Sequence, residues 1–424
     1  MNKPKKQKEA LEPCEINMNS ILSTGLLNDE LRQQLAGGNV INPSTEIPRV
    51  ESNDNCLSEN LNQLVDDMLS NKSLDKKGLD LQLKVIFKQL KMIYTHADIS
   101  PVYRSRQFIS RHGLIISPDN CITSVKDTLR VRAYLRSVHQ AVSQLKLDNN
   151  SPVHIVYPAC GPFAPLLLPL LSYYKTNGLY TGIDIQVTFI DLQPGAVLSL
   201  KAVTDELGLH EFIRDFYCQD ACEYESSTSI NIVVLESLQH GLSREGHVAI
   251  ARHFARVMDP NGIFLPQEVV LYAVLTVGQK EYVEQWKEEN GRAYDVSQEI
   301  IACNQRVELG EILRLNTKTL IDLKDYVVDS STSLIECEEI VIPSESVIPE
   351  QPLIIICTQI KVYNEEVLSE YESGITHPLP DMQVCINYTP QDAKPGDLMV
   401  KSGDKLKFYY RLNGLPGFMA TIAK

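Results

Sequence analysis

Positive charge is what this sequence is short of. Its 424 residues carry 40 lysines and arginines against 54 aspartates and glutamates, a formal net charge of −14 and a pI of ≈ 5.2. Non-specific nucleic-acid binding needs a cationic surface, so that class of partner is not expected. Long apolar runs are missing as well. The lysine-rich start MNKPKKQKEA has no apolar segment behind it, so neither a signal peptide nor a membrane span is expected. The 10 cysteines are scattered. Cys218 and Cys222 lie closest together, but no matching Cys or His pair completes a zinc spacing, so no metal is expected and a reduced, cytoplasmic compartment is the simplest setting. There are no internal repeats or low-complexity tracts. What remains, 43% hydrophobic with a mean hydropathy of −0.14, suits a soluble globular chain of about two or three domains.

Organisation follows from composition and periodicity. Residues 1–55 are polar, with Asn, Ser, Pro and Gly spread among short apolar patches, and read as a flexible leader. Residues 56–120 turn helical: Leu61, Leu64, Val65 and Met68 share one face, and Leu79, Leu83, Ile86, Leu90 and Ile93 form a second stripe. Between residues 121 and 266 the runs HIVYPACGPFAPLLLPLL, VTFIDLQPGAVLSLKAV and INIVVLE alternate strand-length apolar stretches with helix-compatible segments. That alternation predicts an α/β, Rossmann-like domain with a parallel sheet covered on both faces. From 267 to 424, LIIICTQIKVY, MQVCINY and KLKFYYRL read as strands, with Asn413-Gly414 as a turn, so this part is a β domain.

Ligands of parallel sheets bind at the carboxyl ends of the strands. Asp191 ends the strand in FIDL, where a carboxylate can accept both hydroxyls of a ribose or can cap the following helix. Gly161 follows the first strand and allows close backbone approach to a ligand, and Pro162 suits a first helical position. Glu236 and Glu245 stand on one loop after the next strand. Two carboxylates can grip a guanidinium, which stays charged near neutral pH, and draw its positive charge toward the nitrogens they contact. The remaining nitrogen is then freer to attack.

In order, these segments resemble the protein arginine methyltransferases from about Ser124 to Phe418. KDTLRVRAYLRS is similar to the family's D-x-x-R-x-x-x-Y segment, with Asp127, Arg130 and Tyr134 on its marked positions. VYPACGPFA falls at the glycine-rich cofactor loop, FIDL at the ribose-binding acid, and Glu236 and Glu245 at the double-glutamate loop. DPNGIFLPQEVVLYAVL and WKEENGRAYDVS follow in register, and SGITHPLP resembles the Thr-His-Trp motif of the C-terminal barrel.

The resemblance implies a class I S-adenosylmethionine-dependent methyltransferase: a helical lead, a Rossmann-like domain and a C-terminal β-barrel for substrate and dimerisation. S-adenosylhomocysteine would be the product. It implies that Arg130 contacts the methionyl carboxylate and Asp191 the ribose, with further cofactor contacts at Ala159, Cys160, Gly161, Leu192, Asp220, Ala221 and Glu236. Glu236 and Glu245 would hold the acceptor guanidinium, and His377 with Asp127 would match the family's His–Asp pair. The acceptor is then an arginine in a peptide or protein, or an arginine-like small molecule, and a homodimer is implied by the family's habit. On this reading Glu236→Gln leaves cofactor binding intact and removes turnover.

The chain also departs from the family. Tyr157 replaces an acid, Ala159 and Phe163 replace glycines, Pro378 replaces the tryptophan, and the Tyr-Phe-x-x-Tyr helix has no counterpart among Tyr94, Tyr103 and Phe108. The dimerisation arm, expected near Ser297 to Leu323, is not recognisable. A small-molecule N- or O-methyltransferase, or a catalytically silent subunit that uses the fold for binding, are therefore the alternatives.

Overall fold

Helix α1 (Leu57–Leu69) forms because its apolar residues recur at helical spacing, and Leu61, Leu64, Val65 and Met68 are buried on one side. Its start is fixed by Glu59, whose carboxylate accepts the Cys56 backbone N–H at 3.1 Å. Helix α2 (Lys76–His96) is capped by Asp75, which accepts from Gly78 N at 3.0 Å. Its stripe Leu79, Leu83, Ile86 and Leu90 is buried, with Tyr94 completing it and Ile93 packed at its margin. Arg104 closes the far end by donating to the carbonyls of Tyr94, Thr95 and Ala97. The computed structural model describes residues 56–70, 75–148, 151–278, 306–349, 351–387 and 394–423. The polar leader, WKEENGRAYDVS and the first part of the expected dimerisation segment lie outside the described residues.

Two short helices, α3 (Pro101–Ser105) and α4 (Pro118–Cys121), flank a small hairpin of β1 (Phe108–Ile109) and β2 (Leu114–Ile115). Helix α5 (Thr128–Asp148) then leads into the sheet. Strands β3 (Val153–Pro158), β4 (Ile185–Asp191), β5 (Ile213–Cys218), β6 (Ile232–Val234) and β7 (Ile263–Leu265) pair in the order β5-β4-β3-β6-β7, every pair parallel. Helices α6 (Leu168–Asn177), α7 (Pro194–Glu206) and α8 (His247–Val257) occupy the connections. This is the α/β, Rossmann-like arrangement expected from the apolar runs. All of β3 is buried, as a central strand covered on both faces must be.

The chain then becomes β-rich. Strands β8 (Glu268–Val277), β9 (Val307–Leu315), β12 (Pro352–Tyr363) and β13 (Glu366–Leu368) form one antiparallel sheet, to which β14 (Leu379–Asp381) adds along β12. A short helix, α9 (Thr317–Asp322), follows β9. Strands β10 (Asp325–Asp329), β11 (Thr332–Val341), β17 (Lys405–Arg411) and β18 (Gly417–Ile422) form another sheet, with Gly414 in the turn between the last two. Strands β15 (Val384–Ile386) and β16 (Leu398–Val400) pair in parallel. Among the described residues these pairings make separate sheets and do not close into the expected barrel. Lead, parallel sheet and β region nevertheless share one hydrophobic core.

One contact shows how tightly the lead sits on the parallel-sheet domain. Gly195, in the first turn of α7, lies so close to the backbone of α3 that a Cβ there would meet the Tyr103 carbonyl oxygen at 2.4 Å. Overpacking of this kind costs about 1–3 kcal/mol, so Gly195→Ala is expected to lower the urea midpoint by that equivalent at unchanged slope. An unchanged midpoint would mean that lead and domain are not in fixed contact.

Candidate functional site

The sequence places chemistry-bearing residues at the carboxyl ends of the parallel strands, and a cleft opens there. Its empty volume is ≈ 750 Å³, part of it open to solvent. One wall is the loop after β3. Ala159 and Gly161 line it, and both adopt positive φ, 51° and 67°. A Cβ on Gly161 would meet nothing within 4 Å, so the loop backbone faces open space. Ala164 also has positive φ, 41°. The turn therefore continues past Pro162, which does not open a helix as its position suggested; α6 begins only at Leu168. Phe163, where the resembling family has glycine, is buried edge-on against Tyr94 with ring centroids 6.1 Å apart. The end of α2 thus fills the room that a glycine would leave.

Left-handed geometry costs an L-residue roughly 1–2 kcal/mol, of which the greater freedom of glycine in the unfolded chain returns about 0.4–1 kcal/mol. Ala159→Gly should therefore stabilise the protein by about 0.5 kcal/mol. Chemical denaturation checks it, and a loss of stability would contradict the left-handed conformation.

Asp191 ends β4 and lines the cleft. Its two oxygens accept different backbone donors, Gly161 N at 2.9 Å and Gln193 N at 2.8 Å. It therefore ties the β3 loop to the residue before α7; it does not cap that helix, whose N-cap is Gln193 without a side-chain cap bond. Burial pushes its carboxyl up to about 6, against the two N–H donors that pull it down. Leu192, Asp220 and Ala221 also line the cleft. Asp220 accepts the Cys222 backbone N–H at 2.9 Å and so shapes the turn after β5. Cys160 does not line the cleft: it is buried, and its N–H donates to the Ile190 carbonyl at 3.3 Å.

The roof of the cleft is a feature that sequence reading missed. Ser110, His112, Leu114, Ile115 and Ile116, on and around the β1–β2 hairpin, all line it. Gln193 donates to the carbonyls of Arg106 at 2.7 Å and Ile116 at 3.1 Å, gripping both ends of the hairpin. Leu114 N donates to the Arg244 carbonyl at 2.7 Å, and Gly414 N to the Arg111 carbonyl at 3.2 Å. The hairpin is thereby fixed to the parallel-sheet domain, the Glu loop and the β region. Strands of two residues carry too little periodicity to be read from sequence.

The acidic loop reaches the cleft through Glu245, while Glu236 lies beside Arg130, at 3.1 Å from its guanidinium. Arg130 also donates to the Ser124 carbonyl at 2.8 Å and lies 3.6 Å from Asp127. Burial alone would lower the Arg130 pKa, but Glu236 and Asp127 outweigh it and raise it. Its Nε has no hydrogen-bond partner among the described residues. Arg130 and Glu236 do not line the cleft, but both act electrostatically on Cys121, which does. Glu236 is itself raised by burial, with Arg130 opposing. Glu245 is pushed up to about 8, first by burial and then by the charge of Glu236. The loop is held from the β region, since Tyr410 donates to the Leu242 carbonyl at 2.7 Å and Arg244 N to the Pro416 carbonyl at 2.8 Å.

His377 and Asp127 are brought to the same neighbourhood through a turn. Asp127 accepts from Ser373 Oγ at 2.6 Å and from Gly374 N at 3.1 Å, which fixes the 3₁₀ turn leading into His377. His377 is buried, with Tyr371 edge-on at 4.7 Å. It acts on His240 of the Glu loop, whose pKa falls to about 4 through burial, with His377 and Arg244 adding to the effect. His247, two residues after Glu245, is buried as a neutral imidazole, lowered by burial to about 3.

No protein-family model matches the chain, and no curated protein matches it. Among solved structures it is similar to a chain of the Trypanosoma brucei PRMT1 enzyme–prozyme heterotetrameric complex with AdoHcy, at 11% identity and a TM-score of 0.38, with 72% of this chain and 98% of that one covered.

Proposed function

We propose that the protein is an S-adenosylmethionine-dependent methyltransferase acting on a guanidino nitrogen, of an arginine in a peptide or of an arginine-like small molecule. The observation that carries this reading is the single cleft that joins Asp191, at the end of the second parallel strand, to Glu245 on the acidic loop. The cleft's lining fits a nucleoside: Ile115, Leu192, Ala196, Ala221 and Ile250 offer apolar surface, Asp191 a hydroxyl acceptor, and Gly161 open backbone.

S-adenosylmethionine, when bound, supplies an activated methyl group on a positively charged sulfur. The protein's part is then position and charge, and good positioning contributes roughly 7–11 kcal/mol. Asp191 orients the ribose from a place fixed by two backbone N–H donors. Arg130 offsets the charge of Glu236, so that Glu245, which lines the cleft, is the carboxyl placed to meet an incoming cation. A guanidinium beside Glu245 favours its ionised form, while Glu236, held by Arg130 behind the cleft wall, adds its negative field from there. Glu245 would hold the acceptor nitrogen toward the donor's methyl group, and the proton that this nitrogen gives up on methylation would pass to Glu245 or solvent.

The reading is tested by incubating the full chain with methyl-labelled S-adenosylmethionine and a panel of arginine peptides, free arginine, other guanidino compounds, and amines and alcohols. Label recovered on a guanidino nitrogen supports it. Label confined to amines or alcohols would replace it with a small-molecule N- or O-methyltransferase.

A further inference from the structure

Cys222 has no Cys or His partner at a zinc spacing in the sequence, yet the fold brings a histidine to it and to its near neighbour Asp220. His112, from the turn of the β1–β2 hairpin, and Asp220, from the turn after β5, bring a ring nitrogen and a carboxylate oxygen to its sulfur. All three ligand atoms lie within 4.8 Å of one another, and each residue is partly buried. Asp220 and Cys222 share one tight turn held by the 2.9 Å N–H to Asp220 Oδ1.

We propose that His112, Asp220 and Cys222 form a three-donor site for a divalent transition metal of the zinc type, which when filled pins the hairpin roof to the end of the parallel sheet. Imidazole and thiolate together select borderline-soft metals over magnesium or calcium, which take oxygen. Zinc bonds are about 2.0–2.3 Å long, so the donors need to close by roughly 1 Å, within the reach of side-chain rotation on a short hairpin and a turn. His112 and Asp220 both line the cleft, so the site borders it. A cysteine thiol carries its proton at neutral pH. Metal entry replaces that proton: the metal–sulfur bond forms, the S–H bond breaks, and the proton goes to buffer.

The test is Co²⁺ titration of the full-length protein, reduced with a non-chelating phosphine and followed in the near-ultraviolet and visible. It does not depend on nucleoside binding, so it stands or falls apart from the methyltransferase reading. The expected result is one equivalent bound with a thiolate-to-cobalt charge-transfer band and release of about one proton. Cys222→Ser should remove the band, Cys218→Ser should leave it, and His112→Ala and His112→Gln should each weaken binding at least tenfold. Metal-free melting curves of each variant confirm that the fold is kept. A missing band, a band that survives in Cys222→Ser, or an affinity unchanged in both His112 variants would overturn the proposal.

Discussion

Glu245→Gln is expected to fold as well as the parent at pH 5, to be more stable than the parent at pH 9, and to lose roughly 100-fold in kcat/KM toward a guanidino acceptor. The stability part follows from linkage. The folded-state pKa of Glu245, raised to about 8, lies above the ordinary carboxyl value near 4.3. Between those two values the folded chain keeps a proton that the unfolded chain has lost. The parent's stability therefore falls as pH rises through that window, and the fall is complete above pH 8. Glutamine resembles the protonated carboxyl and carries no such loss. The activity part follows from charge. Hydrogen bonds to a charged group contribute about 1.5–3 kcal/mol, and glutamine supplies no anion to a guanidinium. Parallel melting curves and initial rates from pH 5 to 9 check both. In the parent, kcat/KM should rise toward pH 8 as Glu245 ionises; a variant with the parent's slope would remove Glu245 from the account.

Glu236→Gln should behave very differently. Read from sequence alone, the substitution spares cofactor binding and removes turnover. The ion pair alters that expectation, because Arg130 and Glu236 are both shielded, with side-chain exposures of 8% and 14%. Breaking a buried pair from one side costs about 3–5 kcal/mol. The variant is therefore expected to lose that much stability, and with it the placement of Arg130. Replacing both partners, as Arg130→Met with Glu236→Gln, should return most of the lost stability and none of the activity. Urea denaturation of the single and double variants decides it. A double variant no more stable than the single would mean that the ion pair is not what holds this part of the core.

The parallel sheet was legible because its inner strands are buried on both faces and leave near-continuous apolar runs, as in HIVYP and FID. The edge strand Ile213–Cys218 was not, since its exposed Arg214, Asp215 and Cys218 break that signal. Asp191 was readable because strand end and acid coincide. The side-chain partnerships were not readable. Arg130 with Glu236, Asp127 with Ser373, Phe163 with Tyr94, and His112 with Asp220 and Cys222 are each set by packing between elements far apart in the chain. The β-barrel expectation came from resemblance. Strand patterning carries pairing but not closure, and the described strands settle into separate sheets.

The most direct measurement of the central claim is calorimetric titration of S-adenosylhomocysteine into the full-length protein and into Asp191→Asn. The cleft reading predicts one site per chain in the parent and a clear loss of affinity in the variant, whose asparagine gives the ribose hydroxyls no anionic acceptor. No binding at millimolar ligand by a protein shown to be folded, or equal binding by both, would contradict it.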